Sequence, residues 1–329
     1  MAANSSVTSY YQYDPSTEAA IVVAVLYGLS FGASVFQTIK DRAWAWLVMS
    51  LAIGMELVGF IFRIKSSKDV SDRIDYIIQF CLIILSPVLM AAAIYVIFGR
   101  VVFHIVPQHA RSLKLLWIPP RFVTPIFVGF DVIALFLQTI GAIMVSSTQA
   151  TDGNAKEKMN RGKDLAMSGI AVQMAAFGLF TIVAARFQFT SKRFAHDVTQ
   201  KLLMEPGEKT ASVPGSRNKI KPNWRVILFS INLSCVLILL RSIYRMIEFD
   251  EGKTGETASH EWYMYVFDVV PMLIVCLSFN LSPPGRYLPF MGVRIPKSER
   301  GIAISDDEAQ QMELQPGSSH ALYPNADHR

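Results

Sequence analysis

Residues 76–98 read YIIQFCLIILSPVLMAAAIYVIF and contain no charged side chain. As a helix, a stretch of this length rises about 1.5 Å per residue and crosses the roughly 30 Å hydrocarbon core of a bilayer. Apolar stretches of similar length recur on both sides of it. We place the spans at Ala19–Ile39, Trp44–Phe62, Tyr76–Phe98, Phe122–Val145, Leu165–Ala185, Trp224–Ile247 and Trp262–Leu281. The sequence therefore predicts an all-α membrane protein with seven transmembrane helices.

The composition agrees with a membrane protein. Of 329 residues, 52% are hydrophobic and 17% are charged, against roughly 25% charged in soluble domains. The formal net charge of +5 is spread over loops, so we expect no nucleic-acid partner. Cys81, Cys235 and Cys276 fall inside predicted spans, and their odd number favours packed thiols over a disulfide framework.

The distribution of Lys and Arg predicts the orientation of the chain. These residues are more numerous in the loops that face the cytosol when the N-terminus lies outside, as the positive-inside rule requires. We expect an extracellular segment at 1–18, a seven-helix domain at 19–285, and a disordered cytosolic tail at 286–329. Asn4 begins an Asn-Ser-Ser sequon and would face a glycosylating compartment. The basic loop 187–223 and the tail are candidate contacts for cytosolic regulators.

Polar side chains occur inside most of the spans, where they are costly unless they face the bundle interior or a water-filled cavity. They are Glu56, Arg63, Asp131, Gln138, Gln173, Arg241, Arg245, Glu248 and Asp268. Most of them converge in the outer half of the membrane, and the inner half is expected to be drier. This asymmetry favours a polar cavity that opens outward, although ion pairs that only fix helix packing remain an alternative.

Two further patterns bear on packing and on chemistry. Ala24, Gly28 and Gly32, spaced by four, predict a close helix-packing face in the first span. The chain has no G-x-x-x-x-G-K-[ST] loop, and all six histidines lie outside the spans. Neither a nucleotide-hydrolysing loop nor a zinc or serine-histidine site can be identified. We therefore expect no enzyme activity, cofactor or metal.

Several ordered motifs resemble the fungal RTA-like family of lipid-translocating exporters, which includes a sphingoid long-chain base exporter and a protoporphyrin uptake protein. The resemblance extends from about Tyr11 to Gly285. Its most specific blocks are Glu56-x-x-Gly59-Phe60-x-x-Arg63, Arg245-x-x-Glu248-Phe249-x-x-Gly252 and His260-Glu261-x-x-x-Tyr265-x-x-Asp268-x-x-Pro271. It implies a seven-helix fold with the N-terminus outside, in the plasma membrane or another secretory-pathway membrane. His260 and Glu261 join the candidate site through this resemblance alone.

The resemblance implies that the protein translocates or exports lipid-like amphipathic molecules, such as sphingoid bases, and confers resistance to toxic ones. The alternative is a seven-helix lipid receptor or sensor that signals through its cytosolic loops. A regulator of the trafficking of other pumps is a third hypothesis. Carboxylates in the site would suit a cationic amine, and arginines would suit an anionic headgroup, so the sequence leaves the substrate open.

Overall fold

Long helices dominate the structure, a computed structural model that describes residues 15–69, 72–105, 120–147, 155–190, 225–251 and 255–288. The first six are α1 Thr17–Lys40, α2 Leu47–Lys68, α3 Arg73–Ile105, α4 Pro120–Ser147, α5 Ala155–Thr190 and α6 Arg225–Glu251. The seventh, α7, combines Glu261–Met264, a π-helical segment Tyr265–Val269, and Val270–Leu281.

The prediction of an all-α membrane protein is confirmed. Seven helices in the described ranges are long and apolar enough to cross a membrane, and these ranges contain no strand. Some helices continue past their apolar stretch. For example, α5 begins at Ala155, because the polar residues that precede its apolar part include good helix formers such as Ala, Lys and Glu. Asn4, residues 191–223 of the predicted loop 187–223, and the tail beyond Leu288 lie outside the described residues.

Consecutive helices pack against each other in sequence order, and α1 closes the bundle by packing against α7. Helix α3 also contacts α6 across the interior. Aromatic side chains fill much of the core: the ring centroids of Tyr95 and Phe180 lie 4.6 Å apart in an edge-to-face arrangement. Large apolar side chains such as Leu29, Phe136 and Leu179 are exposed on the outside of the bundle, as expected of a surface that faces lipid.

Glycine allows one pair of helices to approach closely, but this pair was not the expected one. A Cβ atom added to Gly169 on α5 would lie 2.7 Å from the carbonyl oxygen of Ala134 on α4, and one added to Gly141 would lie 2.5 Å from the amide nitrogen of Ala166. By contrast, a Cβ atom on Gly32 would meet no described atom within 4 Å. The predicted packing face on α1 was therefore wrong at Gly32, because small residues mark a close approach only where a neighbouring backbone lies opposite.

Alternation of the helices gives the bundle two faces. We call the face that carries the start of α1, the end of α2 and the start of α7 the first face, and the opposite one the second face. The end of α1 at Lys40 lies on the second face, where Arg42 has a left-handed φ of 49° and the chain turns back. The assignment of the first face to the cell exterior remains a prediction.

Candidate functional site

Asp268 is the centre of a buried group of charges between α2, α6 and α7. It lies in the π-helical segment that ends just before Pro271. Proline has no N–H to complete the helical bond to the carbonyl of Phe267, so the regular α pattern is interrupted here. The carboxylate of Asp268 forms ion pairs with both Arg241 and Arg245 of α6. Its side chain is only 2% exposed, so the two arginines satisfy a charge that would be costly alone.

Arg241 also donates to a backbone carbonyl that Pro87 on α3 leaves without its helical hydrogen bond. Its Nη2 atom donates to the carbonyl oxygen of Ile83 on α3 at 3.0 Å. In a regular helix this carbonyl would accept from the N–H of residue 87, but Pro87 lacks that hydrogen. Arg241 therefore satisfies a backbone acceptor that Pro87 leaves free and also neutralises Asp268.

Arg245 connects the buried charges to a more accessible carboxylate. Its Nη1 atom lies 2.8 Å from Oε2 of Glu248, one turn along the same helix. The Glu248 side chain is 24% exposed, against 9% for Arg245. We call Glu56, Arg241, Arg245, Glu248 and Asp268 the charged cluster.

Glu56 of α2 belongs to the charged cluster but forms no ion pair. It is 2% exposed, and no Lys, Arg or His nitrogen of the described ranges lies within 4.0 Å of its carboxylate. It interacts electrostatically with Asp268 and Arg241, and the hydroxyl of Ser86 on α3 lies within its hydrogen-bonding reach. That hydroxyl donates to the carbonyl oxygen of Ala52 at 2.8 Å. The spacing in the sequence placed Glu56 on the face that carries Arg63, yet the two side chains have different partners.

Arg63 instead forms the mouth pair with Glu261 at the first face. Its Nη2 atom donates to Oε1 of Glu261 at 2.8 Å, and the side chains are 4% and 14% exposed. The guanidinium also lies over the ring of Tyr265, 5.7 Å from its centroid. The other carboxylate oxygen of Glu261 accepts the backbone N–H of Ser16 at 2.9 Å. These contacts tie the first residues of the described chain to α2 and α7 beside the charged cluster.

The remaining predicted residues lie in three other places. The hydroxyl of Tyr95 donates to Oδ2 of the buried Asp131 at 3.0 Å, while Oδ1 has no hydrogen-bond partner in the described part of the chain. Between α4 and α5, Nε2 of Gln138 donates to Oε1 of Gln173 at 2.9 Å. His260 is exposed, and its Nδ1 atom lies 2.9 Å from the hydroxyl of Ser259. Their roles as ligand contacts remain predictions.

The half of the bundle near the second face also contains buried polar groups, although the charged ones lie in the other half. Buried hydroxyl and amide groups connect α1, α2 and α7: Nδ2 of Asn280 donates to Oγ of Ser30 at 2.7 Å, and Oγ of Ser34 lies 2.8 Å from Oγ of Ser50. Nε2 of Gln37 donates to the carbonyl oxygen of Asn280 at 2.9 Å. Sequence reasoning missed these groups because single Ser and Thr residues are common in membrane helices, where they also bond their own backbone.

Accessibility distinguishes the acidic groups of the site from the basic ones. The carboxylates with the most exposed side chains are Glu248 and Glu261, at 24% and 14%. The arginines of the cluster and of the mouth pair are more deeply buried, and each is already paired with a carboxylate. Within the site, the groups most accessible from the first face are therefore carboxylates, which attract a cationic group more than an anionic one.

Comparisons with known proteins agree with this architecture. The family described as RTA1 like protein matches residues 49–291. Protein RTA1 of Saccharomyces cerevisiae is 32% identical over 83% of this chain and 84% of its own length. Protoporphyrin uptake protein 1 of the same yeast is 35% identical over 74% of this chain and 70% of its own. The sphingoid long-chain base transporter RSB1, also from that yeast, is 22% identical over 92% and 80%. No solved structure matches the chain.

Proposed function

The chain belongs to the RTA1-like family, and on that premise we propose that it translocates lipid-like molecules with a cationic headgroup across its membrane. The relatives named for sphingoid base transport and porphyrin uptake support transport of amphipathic molecules rather than an enzyme activity. The resemblance noted from the sequence motifs is thereby confirmed at the level of the family. The identity of the substrate, the direction of its transport and the link to resistance against toxic amphipathic molecules are parts of the proposal.

The accessible carboxylates next to buried, neutralised arginines are the observation that carries the proposal. A protonated amine entering the site from the first face would meet Glu248 and Glu261 before the guanidinium groups of Arg63, Arg241 and Arg245. Charge-assisted hydrogen bonds to a carboxylate are worth about 1.5–3 kcal/mol each, enough to orient a headgroup. An anionic headgroup would have to displace Asp268 or Glu261 from an existing pair. Among the substrates named for relatives, a sphingoid base therefore suits this site better than a porphyrin.

An apolar path for the hydrocarbon chain lies beside the same groups. At the start of α7, the rings of Trp262 and Tyr263 stack with centroids 3.9 Å apart, and Trp262 is 51% exposed. Tryptophan and tyrosine favour the membrane–water interface, where an amphiphile inserts. The headgroup can thus reach Glu261 while its chain remains against the outside of the bundle.

The proposal includes the location and the topology of the chain. We place the protein in the plasma membrane with the first face outward, an extracellular segment at 1–18, the seven-helix domain at 19–285 and a cytosolic tail at 286–329. Cytosolic regulators would contact the loop 187–223 or the tail. A lipid sensor with the same topology is an outcome of the test below.

Reconstitution in liposomes tests the proposal. The purified full chain is reconstituted with a fluorescent long-chain amine in both leaflets, and dithionite added outside quenches the exposed label. We expect the amine to reach the outer leaflet faster than in protein-free liposomes, and a matched fluorescent fatty acid to show no such acceleration. Glu248→Gln should slow the amine, whereas Glu157→Gln, which removes an exposed carboxylate outside the site, should not.

Two results would contradict the proposal in different ways. Equal acceleration of the amine and the fatty acid would remove the preference for a cationic headgroup. A chain that binds the amine, as measured by fluorescence anisotropy, but does not accelerate its movement would be a sensor rather than a transporter.

A further inference from the structure

Glu56 differs from Asp268, the other buried acid of the charged cluster, because none of the described residues forms an ion pair with it. The titratable and charged groups around it come from four other helices. They are Tyr27 on α1, Arg241 and Arg245 on α6, and Asp268 and Cys276 on α7, with the Ser86 hydroxyl on α3. On its own helix the nearest charged group in the cluster region is Arg63, which is paired with Glu261.

The charges of the cluster balance without Glu56. Asp268 pairs with Arg241 and Arg245, and Glu248 also pairs with Arg245, which gives two cations and two anions. An ionised Glu56 would add an uncompensated negative charge at 2% exposure. Because a buried charge without an ion pair is very costly, this position favours a neutral acid over a carboxylate.

Polar groups lead from Glu56 toward the second face. Cys276 interacts electrostatically with Glu56 and lies within hydrogen-bonding reach of Ser30. Ser30 accepts from Asn280 at 2.7 Å, and the carbonyl oxygen of Asn280 accepts from Gln37 at 2.9 Å. On the other side of Glu56 lie the cluster and the mouth pair. Glu56 thus lies between polar groups that extend toward both faces of the membrane.

We propose that Glu56 is a proton-binding site and that the protein exchanges a cationic amphiphile for a proton. This inference rests on the proposed function. When the cationic headgroup enters the cluster from one face, the O–H bond of the Glu56 acid breaks, the proton leaves toward that same face, and the carboxylate balances the new positive charge. When the headgroup leaves toward the opposite face, the carboxylate binds a proton from that face. One positive charge replaces another, so the exchange is electroneutral.

A pH gradient across reconstituted liposomes tests the exchange. The probe is a fluorescent long-chain quaternary ammonium compound, because a primary amine would follow the gradient without protein in its neutral form. With the interior more acidic by one pH unit, we expect the wild type to concentrate the probe inside by up to about tenfold. Reversing the gradient should reverse the accumulation. Setting the membrane potential with valinomycin and potassium should not change it.

Two conservative substitutions locate the proton site. Glu56→Gln should lose the accumulation that the pH gradient drives, since the amide cannot release a proton. Asp75→Asn removes another buried carboxylate, which is paired with Lys65 near the start of α3 and lies outside the candidate site, and it should keep the response to the gradient. A response that persists in Glu56→Gln, or that is lost in Asp75→Asn instead, would overturn the assignment.

The remaining outcomes separate the inference from the proposed function. Wild type that moves the probe at a rate unaffected by the gradient refutes the exchange and leaves lipid transport standing. Wild type that moves no probe refutes both. If Glu56→Gln fails to fold, a measurement of proton release from the wild type tests the exchange instead. Adding the probe to purified wild type in weakly buffered detergent solution should acidify the medium. Absence of that release would refute the exchange.

Discussion

Neutralising Asp268 should destabilise the bundle more than any other single change to the charged cluster. In Asp268→Asn, Arg245 keeps Glu248 at 2.8 Å, but Arg241, 6% exposed, loses its only ion pair within 4.0 Å among the described residues. An arginine at the centre of a membrane span costs about 2.5–3.5 kcal/mol on insertion scales, and without Asp268 the hydrogen bond to Ile83 would remain to offset part of this cost. Breaking a buried pair in other proteins costs about 3–5 kcal/mol. We expect a loss of about 3 kcal/mol, since Glu56 remains near Arg241 and can offset part of the cost.

The abundance of the folded protein in the membrane and its thermal unfolding in detergent measure this loss. A change of 3 kcal/mol corresponds to roughly a hundredfold shift in the folding equilibrium. Glu248→Gln is the matched control, because it removes a carboxylate from the same network at a more exposed position and should cost less than about 1 kcal/mol. Arg241→Gln combined with Asp268→Asn should recover about 0.5–3 kcal/mol relative to additive losses. Equal effects of Asp268→Asn and Glu248→Gln, or strict additivity in the cycle, would refute the reasoning.

Three further predictions concern the topology, the helix packing and the mouth. Tags at residue 2 and at the C-terminus should be accessible from opposite sides of the membrane, and accessibility from one side would exclude the seven-span topology. Gly169→Ala should cost about 1–3 kcal/mol of thermal stability because its Cβ would lie 2.7 Å from the carbonyl oxygen of Ala134, whereas Gly178→Ala, with no described atom within 4 Å, should not. Glu261→Gln should raise the half-saturating concentration of a cationic amphiphile about tenfold, as expected for losing a charged hydrogen bond worth about 1.5–3 kcal/mol; an unchanged value would remove Glu261 from the headgroup path.

The sequence alone determined the class of the fold. Apolar stretches of about twenty residues have few alternatives to the α-helix in lipid, because a spanning segment must satisfy its backbone hydrogen bonds internally. A similar argument identified the buried charges, because an ionisable residue inside a span is costly unless it has a partner or a function. The charged residues of α6 and α7 were therefore found from the sequence, and in the structure Arg245 pairs with both Glu248 and Asp268.

The tertiary structure decided which polar groups meet. Helical spacing places Glu56 and Arg63 on one face, but it does not show that Arg63 pairs with Glu261 or that Glu56 forms no ion pair with a described residue. The hydrogen bond from Arg241 to the carbonyl oxygen of Ile83 depends on Pro87 in α3 and on an arginine from α6. A pattern within one span therefore cannot reveal it. The role of small and hydroxyl-bearing residues, such as Gly32 and Ser30, depends on which groups of a neighbouring helix lie opposite them. Periodicity within a helix fixes the direction of a side chain about its own axis, whereas its partner depends on how the helices are arranged around one another.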